Sequence, residues 1–206
     1  MLSVSTALAR LRDGLSEPFP DSPGTRIIDI AFPLNDAFDP LLWCGQQPQW
    51  PQFYWQQRNG DEEMAVLGAV KSFPSLDAAN RFLHQAGRQD LRICGLNAFA
   101  PQQGRLVLPR LEWRRCGGRA VMRLVLHSDL SLRDDAMTAR DFLASLTTAQ
   151  ATPGGVPPLL SERHSSDYPL WQAMIDLATQ AIAAGDMDKW CWRGQPTCSL
   201  PPRWMP

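Results

Sequence analysis

Residues 105–129 read RLVLPRLEWRRCGGRAVMRLVLHSD. Two runs rich in Leu and Val flank Gly117-Gly118, a pair free to take the positive φ that a tight hairpin turn requires. The stretch therefore predicts two long antiparallel strands. Arg110, Arg114, Arg115, Arg119 and Arg123 gather around this hairpin. They are expected to form an exposed strand face whose charge discourages edge pairing, in preference to an anion site.

The same signal recurs upstream. QFYWQQRNGDEEMAVLGAV carries strand-like runs on either side of Asn59-Gly60, with Phe53 and Trp55 on one face and Tyr54 and Gln56 on the other. RIIDIAF (residues 26–32) reads as a strand stopped by Pro33, and Leu91 to Leu96 as a further candidate. Between them, Asp36 to Trp43 suggests a short helix.

Ser75 to Ala86 has Ser75 placed as N-cap, Leu76, Ala79, Phe82 and Leu83 on one stripe, and Gly87 as terminator. Arg133 to Leu146 is a further helix. At the N-terminus, Val4, Leu8, Leu11 and Leu15 fall at helical spacing. Asp13 and the lack of an apolar h-region favour an ordinary amphipathic helix over a transit peptide. Strands grouped in antiparallel hairpins with helices between them predict an α+β fold, antiparallel sheets with helices packed outside, and not a doubly wound sheet.

Residues 1–148 are read as this α+β region and 149–165, with Pro153-Gly154-Gly155 and Pro157-Pro158, as a linker. Residues 166–189 form the start of a second region. There Ser166 or Asp167 caps a helix with Pro169 in its first turn and Leu170, Met174, Leu177, Ala178 and Ala181 on one face. Residues 190–206 stand apart.

Composition narrows the function classes. The chain has 206 residues, 44% of them hydrophobic, which is enough for a real core. A net charge of −1 and a pI near 6.3 provide no field for nucleic acid or an anionic membrane. No run reaches transmembrane length, and five cysteines without a C-x-x-C pair fit a reducing, cytoplasmic compartment. His84, His127 and His164 are dispersed, without a G-x-S-x-G elbow or an H-E-x-x-H motif. Cys191, Cys198 and His164 have loose spacing for zinc. Trp43, Trp50, Trp55, Trp113 and Trp171 are expected in packing roles.

The last segment, WCWRGQPTCSLPPRWMP, holds three of the eight Trp and two of the five Cys and lacks periodicity of either kind. It begins where the preceding helix calls for a strand. Trp is encoded only by TGG and Cys only by TGY. Restoring one G before the first TGG turns Trp190-Cys191-Trp192 into Val-Val-Leu, and the shifted frame permits DKVVLARATDL, a buried-strand pattern. This points to a frameshifted, truncated product. The alternative is a non-enzymatic binding module that uses the Trp-rich tail as an aromatic platform.

Lys189 stands at this break. A lysine entering an apolar interior has its pKa lowered, and the neutral amine can serve as a general base. From Arg26 to Lys189 the chain resembles isochorismate synthase of the menaquinone-pathway type, within the chorismate-utilising enzyme family. RIIDIAFPLNDAFDPLLW, PQFYWQQRNGDEE, AVLGAV, DLRICGLNAFAP, LVLPRLEWRRCGG and LWQAMIDLATQAIAAGDMDK carry the likeness. The resemblance implies the N-terminal part of that fold and an isomerase that adds water at C2 of chorismate as the C4 hydroxyl leaves. It also implies Lys189 as general base, and Mg2+ held by downstream glutamates that this chain lacks. A salicylate-forming relative is the alternative within the family. The expectation is an inactive opening segment with chorismate as the parent's substrate.

Overall fold

A computed structural model describes residues 4–33, 38–87, 90–97, 104–147, 160–163, 167–190 and 197–199. The chain divides into two compact units, Met1–Thr152 and Pro153–Pro206. In the first, α1 (Val4–Gly14), β1 (Gly24–Pro33), α2 (Pro40–Gly45), β2 (Gln52–Gln56) and β3 (Glu62–Phe73) precede α3 (Leu76–Ala86). Then come β4 (Cys94–Asn97), β5 (Gly104–Cys116), β6 (Arg119–Ser128) and α4 (Leu132–Ala144). The second unit holds β7 (Ser161–Arg163), α5 (Tyr168–Ala184) and β8 (Thr197–Ser199).

The Gly117-Gly118 hairpin forms as expected, with Cys116 opposite Arg119 and Glu112 opposite Arg123. It supplies two adjacent strands of a six-stranded sheet ordered β1-β6-β5-β3-β2, with β4 on the outer part of β5. All its pairings are antiparallel. Around Asn59-Gly60 the second hairpin closes through Gln57 N–H to Glu62 O at 2.8 Å. The α+β class is therefore that of the molecule.

Alternation along β6 divides the core. Ala120, Met122, Leu124 and Leu126 face one cluster with Leu8, Leu11, Trp43, Leu111, Trp113 and Leu143. This places α1, α2 and α4 on one side of the sheet. Val125 faces the other cluster, with Phe73, Ala79, Leu106 and Leu108 under α3. Each large side chain fully buried here contributes about 1.5–3 kcal/mol. Val4, Leu8, Leu11 and Leu15 are all buried, so the N-terminal helix is a core element.

Local signals set the helix ends. Asp39 caps α2 through Leu42 N–H, Ser75 caps α3 through Ala78 N–H, and left-handed Gly87 closes α3. Residues 36 and 37, the start of the expected short helix, lie outside the described residues. At Gly68, φ is +67° and an added Cβ would stand 2.7 Å from the Phe142 ring. Only glycine lets α4 approach β3 this closely, just ahead of the register shift between Ala69 and Lys71.

Two polar fastenings hold the helices, one joining α2 to the chain that leaves α4 and one joining α4 to the sheet. Buried Gln47 donates to the carbonyls of Trp43 and Thr147 and accepts from Thr147 N–H, while Trp43 Nε1 donates to Thr147 O at 3.0 Å. Buried Arg110 donates to both carboxylate oxygens of Asp135 at 2.5 and 2.7 Å and to Val125 O. Asp135 also accepts from His127 N–H.

On the α3 side, Lys71 Nζ lies 3.2 Å from His127 Nε2 and donates to Asp129. Nε2 also lies 3.3 Å from Asp129 Oδ1, and Nδ1 lies 2.8 Å from Thr25 Oγ1. The Phe82 ring stands edge-on to the imidazole and beneath Lys71.

The arginine expectation requires correction. Both β5 and β6 are interior strands, Arg110 is buried, and Arg114, Arg115 and Arg123 are paired with Glu112, Glu63 and Asp29. Their charge is neutralised inside the sheet's faces, because a guanidinium in a covered strand is tolerated only when paired. Among the tryptophans, Trp43 and Trp113 are core, whereas Trp50 is 74% exposed and Trp55 and Trp171 are partly exposed.

In the second unit, Asp167 caps α5 through Leu170 N–H, Pro169 lies in the first turn and left-handed Gly185 ends the helix. The unit departs from the sequence reading in its tail. Thr197–Ser199 pairs antiparallel with Ser161–Arg163, because backbone groups gain ladder hydrogen bonds whatever the side-chain pattern. Among the described residues, no helix is long and apolar enough to cross a membrane.

Two measurements test these fastenings. Arg110→Ala leaves Asp135 buried without its cation and should cost about 3–5 kcal/mol in urea unfolding. Asp21→Ala, which removes the exposed Arg133 pair, should cost less than about 1 kcal/mol. Burial, then Lys71, lowers the pKa of His127 below its ordinary 6.5. The folded state thus favours the neutral ring. Its contribution is complete above pH 6.5 and is lost as pH falls through the lower folded value. His127→Gln should flatten the acid side of the stability profile; an unchanged slope would count against the assignment.

Candidate functional site

Lys189 lies four residues beyond the Gly185 cap, where the chain has left α5. The cap geometry is regular: Gly185 N–H bonds to Ile182 O at 3.1 Å and Asp186 N–H to Ala181 O at 3.0 Å. The helix therefore stops cleanly, and Lys189 stands exposed in extended chain. Among the described residues it has no ion pair or hydrogen bond. An ammonium so placed is a solvated cation.

Beside it, Met174, Leu177, Ala178, Ala181, Met187 and Trp190 line an apolar groove of about 280 Å3. The residues at i, i+3, i+4 and i+7 from Met174 belong to the predicted stripe of α5. No residue of the helix is buried; Leu170 is 53% and Leu177 67% exposed. The stripe expected to pack on a strand is uncovered.

The described residues bring no chemical partner to Lys189 within its unit. No group of three or more His, Cys, Asp and Glu suited to a metal occurs among them. Cys191 and His164, two members of the possible zinc set, fall outside the described residues, as do Trp192 and Trp204 of the aromatic platform. Cys198 lies in β8.

A denser collection of ionisable groups occurs in the first unit, and the sequence reading missed its organisation. Glu112, 4% exposed at its side chain, has Arg92 at 3.9 Å and Arg114 at 3.8 Å. Burial raises its pKa, with Arg92, Arg123 and Arg114 opposing. Arg123 makes two hydrogen bonds to Asp29 at 2.7 and 2.8 Å and also donates to Asp90 O.

Buried Cys94 is pushed up to about 12, by burial and then by the Glu112 charge. Its thiol is thereby kept protonated and unreactive. Tyr54 is likewise raised to about 12, by burial and by its hydrogen bond to Glu63. These groups pair with one another and leave no free base beside an acid. The set is structural.

One part of it was legible. A turn at Gly117-Gly118 places Cys116 against Arg119, and counting back sets Glu112 against Arg123. No comparable count leads from Arg110 to Asp135, which meet through the packing of α4.

No family model matches the chain. Sequence comparison shows 54% identity over 190 residues with isochorismate synthase MenF of Escherichia coli, covering 92% of this chain and 44% of that protein. Isochorismate synthase MenF of Haemophilus influenzae is 27% identical over 75% of the chain and 34% of its own length. The corresponding protein of Pasteurella multocida is 28% identical over 78% of the chain and 36% of its own length. The solved structure of the menaquinone-specific isochorismate synthase MenF from Escherichia coli superposes with a TM-score of 0.75, covering 87% of this chain and 42% of that one. The chain spans less than half the length of the relatives it matches. The resemblance to isochorismate synthases is shown in both sequence and fold.

Proposed function

We propose that the chain is the opening segment of an isochorismate synthase serving menaquinone biosynthesis, ended by a frameshift after Lys189 and inactive on its own. The single observation that carries the reading is 54% identity maintained over 92% of the chain. That match covers 44% of the relative's own length, which supports a partial chain. The exposed apolar stripe of α5 supports it as well, since a strand such as VVLAR would bury that surface.

In this reading Lys189 is the amine that deprotonates water for attack at C2 of chorismate. Two conditions for that role are missing. A general base is held in a site closed off from water, whereas Lys189 stands exposed. The departing hydroxyl needs an acid and electrostatic stabilisation in an enclosed site, and the carboxylates that flank Lys189, Asp186 and Asp188, are exposed. The parent's Mg2+ does not fit the described residues, which assemble no ligand set, so no step through the metal is assigned to this chain. Soluble, cytoplasmic placement and chorismate as the parent's substrate belong to the same proposal.

Purified chain incubated with chorismate and Mg2+ should yield no isochorismate above the protein-free control; measurable conversion would overturn the inactivity. Reading the coding DNA past Lys189 should reveal an open frame for VVLARATDL one base out of register. A stop codon within that frame's first few codons would remove the frameshift.

A further inference from the structure

The first unit carries a cavity remote in sequence from Lys189. It measures about 690 Å3, within the range of small-molecule sites. Phe53, Val66, Phe73 and Leu106 contribute its apolar lining, with Trp50 and Leu96 beside them. Trp50 and Leu96 are each 74% exposed. Either alone would be unremarkable on a surface; together at one opening they form an uncovered apolar wall.

The floor is kept open by backbone packing. Gly95 has φ +151°, and a Cβ there would fall 2.0 Å from the carbonyl oxygen of Arg105. Any side chain at this position is excluded by the β4–β5 pairing, so the space above Gly95 and Leu106 is a consequence of register.

Charge identifies the occupant. Of the arginines on β5, Arg110, Arg114 and Arg115 are each held by a carboxylate. Arg105 also lies on this strand, lines the cavity and is exposed, without an ion pair among the described residues. No acidic residue lines the cavity; its other polar side chains are those of Gln52 and Ser72. A flat apolar wall with an unneutralised guanidinium suits a planar ring bearing a carboxylate, which Arg engages bidentately while the ring lies against Trp50 and Phe53.

We infer that the cavity between β2 and β4 binds a small aromatic carboxylate, with Arg105 taking the carboxylate. All the residues that line the cavity belong to the first unit.

The test is calorimetric titration of the full chain with 1-naphthoate, and with neutral 1-naphthalenemethanol as comparator. Naphthoate should bind saturably at one site and more tightly than the alcohol. Arg105→Gln should weaken naphthoate about tenfold, the scale of one charge-assisted contact, with little effect on the alcohol. Trp50→Ala should weaken both. Because the unmodified chain must also show the preference, added salt should weaken naphthoate and spare the alcohol, a readout that needs no variant to fold. Absence of saturation, equal affinity for both probes, or unchanged naphthoate binding by a folded Arg105→Gln chain would overturn the inference.

Discussion

A guanidinium in an interior strand beneath a helix must be neutralised, and the way Arg110 is neutralised organises the first unit. Its carboxylate partner, Asp135, belongs to the first turn of α4, so the ion pair fixes where that helix begins over the sheet. The same carboxylate takes the His127 amide, and Arg110 takes the Val125 carbonyl. One buried pair thereby joins β5, β6 and α4. With α4 held, Leu143 and Ala139 close over the same cluster that receives α1 and Trp43. Low exposure makes the pair costly to break even if its net contribution to stability is modest.

The two faces of the sheet are built differently. The face under α1, α2 and α4 carries the larger apolar cluster, with Tyr54, Glu63 and Arg115 bonded to one another beside it. The opposite face combines the α3 cluster with the Glu112 network and the Lys71–His127–Asp129 group. Mutual satisfaction accounts for these charges without any catalytic role. A buried carboxylate with a raised pKa attracts interest as a functional group, yet Glu112 is paired with Arg92 and Arg114, and the nearby Arg123 is matched by Asp29 and Asp90. The second unit has no such economy: α5 is apolar along one stripe and buries none of it. A helix of that composition is made to be covered.

Resemblance and chemistry therefore separate in this molecule. The likeness to isochorismate synthases extends over most of the chain and over its fold, while the residue expected to act as base is exposed to solvent. Reactivity in a lysine comes from its enclosure rather than from its identity. Among the described residues, a short apolar groove adjoins Lys189, and the flanking Asp186 and Asp188 are exposed.

Much of this architecture was legible in the residues themselves. Asn59-Gly60 and Gly117-Gly118 announced both hairpins, Ser75, Gly87 and Asp167 marked helix ends, and the heptad-like Leu8 and Leu11 marked a core helix, because turns, caps and amphipathic stripes are local in sequence. Lys189 was legible only through family likeness. The arginines were misread because strand order is not local: nothing in RLVLPRLEWRRC states that β5 will have neighbours on both sides. Sequence by itself determined the elements, their pairing within each hairpin and hence contacts such as Glu112 with Arg123. Tertiary structure alone decided which charges became buried and who met them, Arg110 with Asp135 above all, since such contacts arise when distant segments are packed into the same low-dielectric space and every charge there requires a partner.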